Sequence, residues 1–582
     1  MKKVLALMMA LIMMLSLCAC GGNSAGSSDA WEISWWITKG EDAAFYAEYE
    51  DNPVLQWIEQ NKTFNGKSID FDFVTAAPGE QSEEWSRLIG TGDYCDIMDM
   101  SMSSMTATEL YEEGLIHDIT DLVEEHMPNL MAYMEANPEM KDYLYTRVNG
   151  EDKIITLRGF SDRPEPNFQG FCYRRDWIVK YGTNPETGEP FTGGFTDPAD
   201  YLSWEDDVVF PNGTDEPIYI SDWEWMFEIF TKALEAEGIE DGYCYAPFYM
   251  GYMQTGDLYS SFGGGAPYWY MDGDTVVNGM TNDNMRAYLQ CLNTWYNNGW
   301  LDESFDEHTG DMFFAVDSAS VFQGKVGLWQ GRSSTVGTQI QTEGTYSENA
   351  MVYPCRQPIN DIYGGDAQKY VEPNHMFQNT RADTTVVFMD TITEDEIIAV
   401  LQFADFLYTK EGELLGNAGL NAEQAAQVTS DFQTEYGLDD GYYTLEEVDG
   451  VMTAFTKYPF SGTVLTATNL TRISLRYTSV SLCDLGYDRY NQHAVDVWDY
   501  YLCTAQIPEN VNQALSAEQN QTITKIRASL DQFQQRTVPA IIKGDAYDLW
   551  DDASWEKFCS DINKYRAEQI TQIYQEVYDS LK

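Results

Sequence analysis

Basic side chains are scarce in this chain: 34 Lys and Arg stand against 94 Asp and Glu, for a net charge of −60. A surface that negative repels nucleic acid and anionic lipid headgroups, which sets both aside as partners. It also disfavours an anionic ligand, because the adjacent pair Arg174-Arg175 is thin support for a basic pocket. Histidine is scarcer still. No two of His117, His126, His308, His375 and His493 fall at metal-ligand spacing. The cysteines form no C-x-x-C and no Cys–His pair at zinc spacing, so no metal or other cofactor is implied. Asp272-Gly273-Asp274 opens like a calcium loop, but Val276 and Val277 stand where later ligands are needed, and a hairpin turn accounts for it better. The chain has no P-loop and no G-x-S-x-G, and Gly263-Gly264-Gly265 lacks a following helix signal. A glycoside hydrolase needs two carboxylates set across a scissile bond; among so many acids, no pair stands out by motif. Past the N-terminus, no run is apolar enough to span a membrane, and there is no internal repeat.

The N-terminus carries the clearest signal. Lys2 and Lys3 precede an apolar run from Val4 to Leu15, then Leu17-Cys18-Ala19-Cys20 and a polar tract from Gly21 to Ser28. Charged, apolar and small-residue regions in that order make a secretory signal. The apolar run is shorter than the roughly 20 residues that cross a bilayer. Its ending resembles a bacterial lipobox. That resemblance implies a lipoprotein signal over residues 1–19, cleavage before Cys20, lipid on the Cys20 sulfur and a Gly/Ser tether over 20–30. The expected location is the extracellular face of the cell membrane, with the lipid as the only anchor.

At 582 residues the chain exceeds one core, since single cores stop growing near about 250–300 residues. With 43% apolar and 22% charged residues it is a folded protein. Eight cysteines outside the signal region are widely scattered, several in apolar strings such as Phe171-Cys172-Tyr173, and read as mostly free buried thiols. Aromatic residues reach 14%, above the usual share. Rings with a polar handle suit half-wet, half-apolar surfaces, and sugar rings present such a surface; core packing is the plainer account.

Along the chain, strands are predicted at Trp31–Ile37, Ile69–Val74, Cys95–Met100, Phe168–Tyr173, Gly324–Gly331 and Thr384–Phe388, with a hairpin over Tyr270–Val277. Helices are predicted near 43–60, 80–90, 106–134 and 282–298. Two more open on the capping boxes Ser221…Glu224 and Thr393…Glu396. An acidic Gly/Pro-rich insert covers about 183–217. The C-terminus reads as one long amphipathic helix, with Trp555, Phe558, Ile562, Tyr565, Ile573, Val577 and Leu581 on its stripe. Strands alternating with helices indicate an α/β architecture with largely parallel sheets.

Five stretches in this order carry a family resemblance: Trp35-Trp36, Gly92-Asp93-Tyr94-Cys95-Asp96-Ile97, Gly170–Trp177, Phe322–Trp329 and Phe403–Gly412. Their order and spacing over about 31–420 are similar to the extracellular solute-binding proteins that serve ABC transporters for sugars, in particular Gram-positive oligosaccharide-binding lipoproteins distantly related to maltose-binding protein. The resemblance implies a type II periplasmic-binding-protein-like fold, α/β in class, with two lobes, a hinge and an interlobe ligand cleft. The lobes would be 31–167 plus 385–450 and 168–384 plus 451–582. It implies a monomeric receptor without catalysis that hands a neutral oligosaccharide to permease subunits. By the same resemblance the cleft takes Trp36, Lys39, Glu41 and Asp42; Asp99, Met100 and Ser101; Glu165, Asn167 and Gln169; Tyr249, Tyr252 and Gln254; and Trp329 and Arg332. Amide and carboxyl groups suit sugar hydroxyls and rings stack on the sugar face. A peptide-binding protein, a structural surface lipoprotein and a secreted glycoside hydrolase are the alternatives.

Overall fold

The first strand shows how the sequence builds its sheet. In β1 (Ala30–Trp36), Ile33 and Trp35 turn to one side and Trp36 to the other, and all three are buried. Glu32 nearer the start stays exposed, but the C-terminal end is apolar on both faces and so sits where the sheet is covered on both sides. The computed structural model describes residues 30–37, 49–77, 79–162, 169–197, 200–247, 258–307, 318–332, 350–370, 384–448, 450–458, 464, 467–479, 489–498 and 505–582.

In the first lobe β1 pairs in parallel with β2 (Ser68–Val74), from Ala30↔Ser68 to Trp36↔Val74, and with β3 (Ile97–Asp99). The second lobe holds β4 (Gln169–Arg174), β5 (Tyr243–Ala246), β6 (Val326–Arg332) and β7 (Val352–Cys355). The chain then returns, and β8 (Val386–Phe388) runs antiparallel to β3, giving the order β8-β3-β1-β2. The second sheet has the order β7-β4-β6-β5. There β5 and β6 are parallel, but β4 runs against both its neighbours, so this sheet is mixed where a largely parallel one was expected.

Helices flank both sheets. The ones used below are α1 (Pro53–Asn61), α2 (Gln81–Thr91), α3 (Ala107–Glu112), α4 (Arg175–Tyr181), α5 (Ile220–Glu237), α6 (Asp283–Asn297), α7 (Glu394–Phe406), α8 (Lys410–Asn417), α9 (Glu509–Gln513), α10 (Ala517–Ile542), α11 (Asp552–Asn563) and α12 (Ala567–Leu581). Helix α7 opens on the expected box: Glu396 accepts from the Thr393 N–H at 2.9 Å and from its hydroxyl at 2.6 Å. Helix α5 starts before its expected box, because Asp222 reaches back to the N–H groups of Tyr219 and Ile218 at 2.8 and 3.0 Å. The long C-terminal helix is two, broken at Arg566, whose φ of 62° is left-handed. The Trp269–Asp272 and Thr275–Asn278 hairpin forms as predicted. Cys95, Cys172, Cys244, Cys291 and Cys355 are free and buried, and Cys559 is free and half-buried.

The hydrophobic clusters define the lobes. One cluster takes residues from Ile33 to Phe160 and from Val386 to Leu475; another takes Phe171 to Tyr370 and Ala505 to Val577. Ala454, Tyr458, Ala467, Leu470 and Ile473 belong to the first, so the chain leaves that lobe after Leu475 and not at the expected residue 450. Among the described residues the chain belongs to the first lobe up to 162, to the second from 169 to 370, to the first again from 384 to 479 and to the second from 489. Before the first and third crossings the two segments run side by side. Ser161 bridges Thr478 in parallel, and Asp162 N–H donates to the Thr478 carbonyl at 3.0 Å. Gly159 is required here, since a Cβ would lie 2.0 Å from the Arg476 carbonyl oxygen.

Candidate ligand cleft

Parallel strands end on a common edge, and in open α/β sheets ligands bind outside the carboxyl ends. In the first lobe that edge is Ile37, Val74 and Asp99, with the Ile37 N–H donating to the Val74 carbonyl at 2.9 Å. In the second lobe it is Ala246 and Arg332, the ends of β5 and β6. Gln169 starts the antiparallel β4 and is the register partner of Arg332, which puts both at this edge; their side chains lie outside the described residues. So do Lys39, Glu41, Asp42, Glu165, Asn167, Tyr249, Tyr252 and Gln254, and also Cys20.

The turn after β3 is the best-defined part of the rim. The Asp99 carboxylate accepts the Ser101 N–H at 2.8 Å, and the Asp99 carbonyl accepts from the Trp85 indole at 3.1 Å. Met100 N–H donates to the Thr385 carbonyl at 2.9 Å, tying the turn to the return strand. Ser103 then closes a second loop: its hydroxyl donates to the Met105 carbonyl at 2.7 Å and accepts the Met105 N–H at 3.0 Å. Asp99 is buried by this bonding, whereas Ser101 and Met102 are exposed. The result is a rim of hydroxyls and a thioether with its carboxylate turned to structural use. Val74 and Met102, each 36% exposed, are large apolar side chains left open on this lobe. Sequence reasoning passed over Met102 and Ser103; the run Ser101-Met102-Ser103-Ser104-Met105 directly after a strand end was the available signal.

Two expected stacking residues are core residues instead. Trp36 is fully buried among Trp85, Cys95, Met98 and Val387. It is the last residue of β1 but still lies between two paired strands, opposite Val74 and Met98, so both of its faces are covered. Trp329 is also fully buried, among Cys172, Ala246 and Val352. Strand β6 runs on to Arg332, which makes Trp329 a mid-strand residue. Asp99, Met100 and Ser101 stand at the strand-end rim, with Asp99 buried beneath it.

Among the described residues no group of His, Cys, Asp or Glu could hold a metal ion, and no helix is long and apolar enough to cross a membrane.

No protein-family model matches the sequence, and no curated protein matches it. Solved structures do. The chain is similar to an HMO-binding, ABC-transporter-associated solute-binding protein from Bifidobacterium longum infantis, at 14% identity and a TM-score of 0.63, over 94% of this chain and 98% of that one. It is similar to the Streptococcus pneumoniae ABC-transporter substrate-binding protein FusA in complex with kestose, at 15% identity and a TM-score of 0.61, over 95% and 99%. The alginate-binding protein AlgQ2 aligns at 13% identity with a TM-score of 0.59, over 95% and 98%. The chain therefore has the two-lobed, type II periplasmic-binding-protein-like α/β fold of extracellular solute-binding proteins.

Proposed function

We propose that this protein is the lipid-anchored extracellular receptor of an ABC importer and binds a neutral oligosaccharide between its lobes. One observation carries the reading: over nearly its whole length the chain shares its fold with proteins whose names record HMO or kestose as what they bind. The serine-lined, uncharged rim at Ser101–Ser104 fits hydroxyl-bearing ligands, and the net charge of −60 disfavours anionic ones. With Met100 and Ser101 on one side, set by the buried Asp99 beneath them, the ligand would be met by Lys39, Glu41, Asp42, Glu165, Asn167, Gln169, Tyr249, Tyr252, Gln254 and Arg332. Closure of the lobes around it is a hinge motion. The protein has no catalytic step of its own, works as a monomer, hands its ligand to permease subunits and is held at the membrane by lipid on Cys20.

The test is a thermal-shift screen of the soluble chain from Asp29 onward against plant and host oligosaccharides, with monosaccharides and peptides as controls. Ligand at about 100 times its dissociation constant adds roughly 2.7 kcal/mol of stability. A shift with one glycan series and no product formed supports the reading. Silence toward all sugars with a response to peptides overturns it, and release of shorter sugars makes the protein a hydrolase.

A further inference from the structure

Besides the crossings, the second lobe touches the first through a polar seam. Helix α9 and the start of α10 are rooted in the second lobe, with Val511, Leu515, Ile523 and Ile526 in its core. Their polar side reaches the other lobe. The Thr108 hydroxyl donates to the Gln513 carbonyl, and the Thr146 hydroxyl donates to the Gln513 side-chain oxygen at 2.8 Å. Arg158 Nη2 donates to Glu509 Oε1 at 3.2 Å, and Gln513 Nε2 donates to the same oxygen at 3.2 Å. At the edge, Asn520 Nδ2 donates to Glu109 Oε2 at 3.1 Å. Thr108, Thr146, Arg158 and Gln513 are at most 8% exposed, so the seam is dry at its centre.

Its place in the fold gives the seam a consequence. Thr108 and Glu109 lie in α3, which directly follows the rim loop after β3, and Arg158 stands one residue before Gly159 in the segment that leads to the first crossing. One cluster of bonds thus ties cleft rim, hinge segment and second lobe together. Rotation of either lobe must slide or break those bonds. Hydrogen bonds suit such a joint: they fix one register while made, and water replaces them when the surfaces part. An apolar seam of equal area would resist opening by the full cost of exposing it.

We propose that this seam is an interlobe latch: Gln513 and Glu509 hold the lobes in the arrangement seen here, and their bonds set how often the lobes leave it. Its bearing on ligand capture rests on the receptor reading, because apparent affinity scales with the fraction of molecules in the binding-competent arrangement.

The test uses the whole mature chain without ligand. In Gln513→Ala/Thr146→Ala the side-chain bonds are removed and no apolar contact takes their place. Lobe separation is followed by small-angle scattering, and amide exchange is followed segment by segment. The expected result is a population shift of roughly tenfold away from the wild-type separation. Faster exchange is expected on both sides of the seam, in α3 and Lys141–Val148 as well as in α9, with β1 and β6 protected as before. Should that variant not fold, Glu509→Gln keeps the shape, removes the charge and is expected to shift the population the same way by a smaller factor. Unchanged lobe separation overturns the latch, as does faster exchange confined to α9. Since no ligand is used, a failed glycan screen does not bear on this result, and a failed latch leaves the receptor reading standing.

Discussion

In the second lobe Arg175 meets Asp206 through two bonds of 2.7 and 2.8 Å, donates to the Tyr173 hydroxyl at 2.8 Å and lies 4.7 Å from the Tyr353 ring centroid. Beside it Arg174 grips Asp176 at 2.8 and 2.7 Å. The first lobe buries carboxyls without such cations. Asp405 accepts from Asn129 N–H, Asn129 Nδ2 and Leu130 N–H at 2.8 to 3.0 Å, and Glu413, 2% exposed, accepts the Ser479 N–H next to the third crossing. With 34 basic residues for 94 acidic ones, most carboxyls must do without a cation.

The two devices respond to pH with opposite sign. Burial pushes the Glu413 carboxyl up to about 8, with Asp162 adding to it. Burial, with Asp70 and Glu50 nearby, does the same for Glu59 in α1, also to about 8. Such groups bind a proton more tightly folded than unfolded. Their contribution is therefore full below pH 4.5 and is lost as pH rises through about 8. Burial alone would also raise Asp206, but its bonds from Arg175 outweigh that and hold it below the usual carboxylate range. Its contribution is present at neutral pH and is lost on acidification. Ionisation of Glu413 and Glu59 in alkali should therefore weaken the first lobe, and protonation of Asp206 in acid should weaken its surroundings in the second.

The sharpest way to break the comparison is Arg175→Met. It leaves Asp206 buried without its cation, which costs about 3–5 kcal/mol. Urea unfolding should show the loss in the second lobe's transition, with Arg175→Lys a poor rescue because the paired geometry needs a guanidinium. Next comes Gly159→Ala, whose methyl meets the Arg476 carbonyl. Overpacking of this kind costs about 1–3 kcal/mol, and amide exchange should rise in 156–162 and 474–479 while β6 keeps its protection. Glu413→Gln is smaller and sharpens the contrast. The amide oxygen still accepts from Ser479 but nothing titrates, so first-lobe stability measured from pH 5 to 8 should flatten by about 1–2 kcal/mol. Last, Arg87→Ala removes the exposed pair with Glu84 at 2.7 Å, and neither transition should move measurably.

Much of the fold was legible because it rests on local patterns. A β-rich run marked β1, alternation marked β2, and the Thr393…Glu396 spacing marked the start of α7. Strand direction is not written in strand composition, so the antiparallel β4 was not foreseen. The apolar stripe resumes past the break at Arg566 with Gln569 as its one polar interruption, and nothing in it announces a left-handed residue. At the candidate site, the strand end before Met100 and Ser101 was legible in the Cys95–Met100 run. Trp36 and Trp329 were not, because a tryptophan near a strand end looks alike whether neighbouring strands cover it or leave it open. The boundary after Leu475 and the seam around Gln513 are set by partners hundreds of residues away: Asn52 holds the Asn469 carbonyl at 3.0 Å, and Thr108 holds Gln513. Single-sequence patterns carry no trace of such pairs.

The most direct test of the central claim is a calorimetric titration of the mature chain with neutral oligosaccharides, with the sugars recovered afterwards and analysed by mass. The account predicts saturable one-to-one binding of one glycan series, a negative heat-capacity change from burial between the lobes, and sugars recovered intact. No heat with any neutral sugar, or recovery of shortened ones, would contradict it.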